Sequence, residues 1–346
     1  MIPWSAWSWP WFGALEAWRL GLKAFEPLSE EDPPQETVWT TPNRPVLDLG
    51  ALRLRDFSFE PRSGPAVLVV APFAVHDAGI ADLAPGHSLI EALRRQGCRC
   101  VFLAEWTSAT REMRYNTIDS QLSALNAAVD DLGPPLAVVG LCQGGWLSLV
   151  YAARFPKKLR KLALIGAPVD TSWGAAPAPS EAFVEQLIRL GRGRVLGRHS
   201  ATLWPHDPDM TRRMTEALQL GDPEATEAES AAASAYAAWE KRTLNLPGVY
   251  FRQVFEWLYK DNRLARGDFP ALGRKVGLRG LTTPLYLLAG AQDAIVPAPQ
   301  LFAAASLIGD GCDVTTALAA GGHCALFMGA RTIRENWPQI AAWLQS

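Results

Sequence analysis

The stretch LAVVGLCQGG, residues 136–145, constrains this chain more than any other. A short apolar run, read as the buried strand Leu136–Gly140, passes straight into a glycine-rich turn. A helix is expected to follow over Trp146–Phe155. Reversing a strand into a helix within so few residues forces two backbones together, and Gly140 and Gly144 leave room for that approach. Such a turn holds one side chain out at its tip, and the residue there is Cys142. A thiol at a helix N-terminus gains thiolate character from the local positive potential. The backbone N–H of Gln143 then points where an oxyanion would form. A buried cysteine in a merely structural turn is the competing reading, and the strand-to-helix context weighs against it.

The rest of the chain repeats the strand–helix rhythm. Strands are expected within Val46–Phe59, at Ala66–Ala71, Cys98–Leu103, Leu162–Ile165, Pro284–Ala289 and Val314–Leu318. Helices are expected at His87–Gln96, Ile118–Leu132 and Ile333–Gln345, the last kinked at Pro338. This alternation implies an α/β fold, with a mostly parallel sheet covered by helices on both faces. From Pro168 to about Val276 the rhythm breaks and helical spacing dominates, which reads as a helical cap inserted over one end of the sheet. The expected organisation is an N-terminal segment and linker over 1–45, core over 46–170, cap over 171–276 and core again over 277–346. A length of 346 residues suits one large α/β unit with an insertion.

Composition narrows the function classes. Hydrophobic residues at 49% and charged residues at 20% supply a core and exclude a disordered chain. The net charge of −2 argues against a nucleic-acid partner. No apolar run reaches the ~18 residues of a membrane span. Five sparse cysteines suggest no disulfide framework, so a reducing, cytoplasmic setting is expected. The N-terminus carries Trp4, Trp7, Trp9, Trp11 and Trp18, and from Trp11 the spacing with Leu15, Trp18 and Leu22 puts an apolar stripe on a helix. That helix docks on the protein's own core or binds an interface. The Pro-rich stretch Glu26–Pro45 reads as a linker.

A nucleophile needs a base and an orienter. His323, in AGGH after the last strand, is where the base is expected, and Asp293, after the preceding strand, is where the acid is expected. With Cys142, both fall at predicted carboxyl ends of strands, where open α/β sheets bind ligands. The loop after Ala66–Ala71 should supply a second oxyanion donor, the N–H of Phe73 or Ala74. Asp170 is an alternative acid but suits a capping or hinge role better. His76 reads as structural or mouth-lining, and Cys324 as packing. Alternation along a strand would point Cys98 and Cys100 the same way, yet no second cluster joins them into a metal site. No dinucleotide fingerprint or P-loop is seen, so no cofactor and no metal are expected.

Several segments together resemble the polyhydroxyalkanoate synthases, by length their class III/IV catalytic subunits. They are ADLAPGHSL (81–89), GLCQGG (140–145), APVD (167–170), NLPG (245–248), QDAIVP (292–297) and Gly322-His323, spread over roughly residues 65–346. The resemblance implies an α/β-hydrolase fold with a Cys-Asp-His triad that polymerises 3-hydroxyacyl-CoA and releases CoA. It implies that Cys142 carries the acyl chain, His323 is the base and Asp293 orients it. Glu240 and Arg242 stand where such synthases carry Asn and Asp, and the run from His323 to Gly329 leans toward intracellular polyhydroxyalkanoate depolymerases, which also use Cys.

Thiol chemistry favours transfer over hydrolysis. A thiol exchanges one thioester for another at little cost, whereas from an oxygen ester it must go uphill. Transfer also needs water excluded, and the aromatic run Tyr250, Phe251, Phe255, Trp257 and Tyr259 either does that or simply packs the cap. The expected function is therefore a cysteine-dependent acyltransferase making polyhydroxyalkanoate. A depolymerase, esterase or thioesterase of the same fold is the alternative, and a non-catalytic granule-associated homologue a third. The expected partners are 3-hydroxyacyl-CoA or a polyester chain, a second copy or small partner subunit, and a granule surface met by the Trp-rich N-terminus.

Overall fold

A computed structural model describes residues 36–174, 180–201, 226–309 and 311–346, without the side chains of 226–230. The Trp-rich segment expected to be helical lies outside these residues.

Eight strands form one sheet in the order β1-β2-β4-β3-β5-β6-β11-β12. They are β1 (Arg44–Asp48), β2 (Leu52–Asp56), β3 (Ala66–Val70), β4 (Cys100–Trp106), β5 (Leu136–Leu141), β6 (Leu159–Ile165), β11 (Leu285–Gly290) and β12 (Val314–Ala319). The β1–β2 hairpin runs antiparallel onto β4, and every pairing from β4 to β12 is parallel. β3, β4, β5 and β11 are buried along nearly their whole length, as strands covered on both faces must be. One apolar cluster lies on each face of the sheet, the first around Trp106, Trp146 and Tyr151 and the second around Phe327, Trp337 and Leu344.

Between β6 and β11 the chain leaves the sheet. Helices Glu181–Leu190, Thr226–Lys241 and Gly248–Gln253 dominate there. Two short strand pairs interrupt them: β7 (Arg194–Val195) pairs with β8 (Leu246–Pro247), and β9 (Phe269–Ala271) with β10 (Arg274–Val276). These strands are two or three residues long, too short for alternation to register in sequence.

Several boundaries moved for local reasons. The helix after the elbow begins at Gln143 rather than Trp146, its first turn holding two glycines. β6 begins at Leu159 because Arg160 and Lys161 reach the carbonyls of Leu344 and Trp343, which lets two charged residues sit within a core strand. The closing helix is two, Ala330–Glu335 and Trp337–Gln345, broken at Asn336, so Pro338 falls in a first turn where its missing N–H costs nothing. The expected linker also ends early. β1 starts at Arg44, and Asp82 accepts hydrogen bonds from Thr40 N (3.0 Å), Thr41 N (2.8 Å) and Thr41 Oγ1 (2.7 Å), which anchor the strap.

Cys98 and Cys100 do not point the same way. Cys98 packs in the cluster of Phe327 and Trp337, and Cys100 in the opposite one. Cys98 lies in the turn after Gly97 (φ +92°), ahead of β4, where strand alternation does not apply.

Candidate active site

The elbow between β5 and the helix Gln143–Arg154 is built by close approach. Cys142 takes φ 46° and ψ −112°, outside the regions that ordinary residues occupy. Its N–H bonds to the Ile165 carbonyl of the neighbouring strand at 2.9 Å. A Cβ on Gly140 would lie 2.5 Å from Gly145 Cα, and one on Gly144 2.3 Å from the Val70 carbonyl oxygen. A Cβ on Gly145 would meet that of Ala167 at 2.4 Å. The three glycines are the reason the turn can close, and the strain it stores at Cys142 is held by the strands on either side.

Asp293 and His323 arrive from loops after β11 and β12. His323 Nδ1 lies 2.7 Å from Asp293 Oδ2, and both side chains are buried. The other carboxylate oxygen of Asp293 accepts from the N–H groups of Ile295 and Val296, each at 2.8 Å, which locks its orientation. With Nδ1 given to Asp293, Nε2 is the ring nitrogen left for Cys142, which lies near enough to influence the imidazole's pKa. Burial works to lower the His323 pKa, but the Asp293 carboxylate and the neighbouring Cys142 outweigh it and push it up to about 10. The ring packs edge-on against Phe327 at 5.2 Å. Gly166 (φ +54°) gives it room: a Cβ there would lie 3.2 Å from His323 Cε1.

The predicted oxyanion residues sit on either side of the sulfur's strand end. Gln143 opens the helix, and its side chain donates to the Tyr259 hydroxyl (2.6 Å) while accepting from Trp146 Nε1 (2.6 Å). Phe73 and Ala74 follow β3 directly. The Tyr250 hydroxyl donates to the Phe73 carbonyl at 3.2 Å, fixing the peptide that joins Phe73 to Ala74. In a trans peptide the Ala74 N–H points opposite that carbonyl. The Tyr250 hydroxyl is held protonated first by burial and then by the negative charge of nearby groups that include Cys142, whereas Tyr259 is 40% exposed.

Sequence reasoning missed the part played by these two tyrosines. It grouped them with Phe251, Phe255 and Trp257, which pack into the core around Phe269 and the helix Gly248–Gln253. Only a register relative to the elbow, absent from the sequence, separates the two kinds. Asp82 was likewise missed as an anchor, although it stood inside a quoted motif; it also accepts from Ser88 Oγ at 2.5 Å.

Asp170 is not with the imidazole. Its Oδ1 accepts from Ser172 N (3.1 Å), Ser172 Oγ (2.6 Å) and Asn262 Nδ2 (2.7 Å), tying the loop after β6 to the segment that follows it. His76 packs on Trp239, centroids 4.5 Å apart. Cys324 is 1% exposed, and its thiol is pushed well up by burial, with Asp293 and Cys142 adding to the effect. Among the described residues, no group of three His, Cys, Asp or Glu could hold a metal ion, and no helix is long and apolar enough to cross a membrane.

Known proteins were compared with this chain. A family model described as the alpha/beta hydrolase fold matches residues 79–330. A poly(3-hydroxyalkanoate) polymerase subunit PhaC of Synechocystis sp. is 27% identical over 95% of this chain and 90% of its own length. A protein of the same name from Haloferax mediterranei is 25% identical over 89% of this chain and 64% of its own length. Among solved structures, the monoacylglycerol lipase of Paleococcus ferrophilus superposes with a TM-score of 0.53 at 18% identity, covering 85% of this chain and 98% of the lipase, a likeness of fold.

Proposed function

The chain belongs to the alpha/beta hydrolase fold family, and within it we propose that it is a cysteine-dependent acyltransferase that polymerises 3-hydroxyacyl-CoA into polyhydroxyalkanoate. The observation that carries this reading is the match along nearly the whole chain to relatives named as poly(3-hydroxyalkanoate) polymerase subunits. A sulfur at the elbow supports it independently, since thiolate attack on a CoA thioester exchanges like for like.

In the proposed cycle, His323 takes the Cys142 proton and the sulfur adds to the acyl carbonyl. The oxyanion rests on the Gln143 N–H and on an N–H of Phe73 or Ala74. The intermediate collapses as the C–S bond to CoA breaks, and His323 protonates the departing thiolate. The acyl chain is now a thioester on Cys142. A hydroxyl of another hydroxyacyl unit then attacks it, giving its proton to His323; an ester forms and Cys142 is released. Asp293 keeps Nδ1 protonated and the ring aimed throughout.

The helical region over 171–276 serves as a cap in this reading, with Tyr250 and Tyr259 bordering the acyl site. The word subunit in the relatives' names supports a second polypeptide as partner, and the Trp-rich N-terminus is the proposed contact with a granule surface in the cytoplasm.

The test is incubation of the purified chain with 3-hydroxybutyryl-CoA and, separately, with amorphous polymer. Free CoA together with polymer is expected. Soluble hydroxy acids from the polymer would assign a depolymerase instead, and inertness toward both would leave a granule-associated homologue or an enzyme of another ester substrate.

A further inference from the structure

The loop after β3 is gripped by one stretch from the region between β6 and β11. Leu244 N donates to the Val75 carbonyl at 2.8 Å, and His76 and Thr243 form an antiparallel bridge. Trp239 Nε1 donates to the Asp77 carbonyl at 3.2 Å. At the centre, Arg242 Nε donates to Asp77 Oδ2 at 2.6 Å, across 165 residues of chain. Both side chains are buried, 9% and 5% exposed. Asp77 Oδ1 accepts from Gly79 N at 3.0 Å, so each carboxylate oxygen has a donor. The packing has no slack, since a Cβ on Gly79 would lie 3.0 Å from Arg242 Nη2 and 3.3 Å from Trp239 Cδ1.

Such a pair contributes geometry more than stability, because desolvation offsets much of its attraction. The geometry it fixes lies only a few residues along the chain from Phe73 and Ala74. The Tyr250 hydroxyl on the Phe73 carbonyl holds the near end of this loop, and Arg242 on Asp77 holds the far end. Cys142, Asp293 and His323 are held by other partners: the Ile165 carbonyl, the N–H groups of Ile295 and Val296, and Asp293 itself.

We propose that Arg242 is a positioning residue for acyl transfer: its ion pair with Asp77 sets the Phe73–Ala74 loop at the distance from Cys142 where a backbone N–H meets the oxyanion. The inference rests on the reading that this loop supplies the second oxyanion donor, and its test needs no knowledge of the natural substrate. An activated ester, p-nitrophenyl butyrate, acylates Cys142 with formation of the S–C bond and loss of p-nitrophenolate, and this step passes through an oxyanion. Iodoacetamide alkylates the same sulfur by displacing iodide, and no oxyanion forms.

In Arg242→Met, the acylation burst should slow by on the order of 10²-fold, the loss expected when an oxyanion donor is misplaced. The alkylation rate should stay within about twofold, since thiolate formation is left alone. The slowing should fall on the acylation rate constant and not on KM. Arg242→Lys, which keeps the charge, should recover most of the rate. Should Arg242→Met fail to fold around a stranded carboxylate, the double variant Asp77→Asn/Arg242→Met removes both charges and should show the same selective loss. An unchanged burst, a burst and alkylation that fall together, a loss confined to KM, or no burst in the unaltered protein would each overturn the proposal. A normal burst from an unaltered protein that is inert toward 3-hydroxybutyryl-CoA would overturn the polymerase reading alone.

Discussion

Two buried cysteines lie near one imidazole, and they differ in backbone and in place along the chain. Cys324 is the residue after His323 in the chain, sits in ordinary right-handed helical backbone (φ −65°, ψ −27°) and is 1% exposed. Burial, with Asp293 and Cys142 adding to it, keeps its thiol protonated. Cys142 comes from a distant strand, is forced to φ 46° and opens a twelve-residue helix. It lies near enough to the His323 ring to help raise the imidazole's pKa. Nearness to a histidine therefore does not make a nucleophile. What sets Cys142 apart is strained backbone at the head of a helix, and on that ground it is the proposed nucleophile.

That contrast can be broken experimentally, and the largest effect should come from the sulfur itself. Cys142→Ala should abolish the covalent acyl-enzyme seen by mass spectrometry and lower turnover by on the order of 10⁴-fold or more; an adduct that persists on Cys324 would reverse the assignment. Asp293→Asn should cost on the order of 10³–10⁴-fold in turnover with little change in KM, because the ring loses its oriented tautomer. Gly144→Ala tests whether tight backbone makes the elbow. Its Cβ would press on the Val70 carbonyl, which is backbone and cannot yield cheaply, so a loss of about 4 kcal/mol or more is expected in urea unfolding. A loss below about 1 kcal/mol would show the turn to be looser than the contrast requires.

A smaller effect is expected from pH. Although burial opposes it, Asp293 and Cys142 raise the His323 pKa from its ordinary 6.5 to about 10, so the folded protein holds that proton more tightly than the unfolded chain. The charged ring adds its full stability below pH 6.5, and this is lost as pH rises from 6.5 through about 10. Melting temperatures over that window should fall more steeply for the unaltered protein than for Asp293→Asn. The smallest change is expected from Cys324→Ala, with activity within about twofold and only a modest loss of stability. A large loss of activity would mean that the two cysteines share the chemistry.

How much of this could be read from residues varies by region. Cys142, Asp293 and His323 stood out as candidates because each sits where a short apolar run ends, and because their order along the chain fits a nucleophile, an acid and a base. The link between Asp77 and Arg242 could not be found that way. An aspartate in a loop and an arginine after an Ala-rich helix look like two solvated charges, and only folding makes them partners. Asp82 in its strap and the hydroxyls of Tyr250 and Tyr259 at the elbow were hidden for the same reason.

The amino-acid sequence by itself determined the strand–helix alternation, the parallel sheet and the glycine-bordered turn with one side chain at its tip. These follow from patterns of two to a few residues, set by local sterics and by which face of each element is apolar. The tertiary structure alone decided which acid the imidazole pairs with, which tyrosines bond to Gln143 and to Phe73, and which arginine pairs with Asp77. Those are contacts between segments far apart in the chain, and long-range packing selects them with no local pattern to announce them.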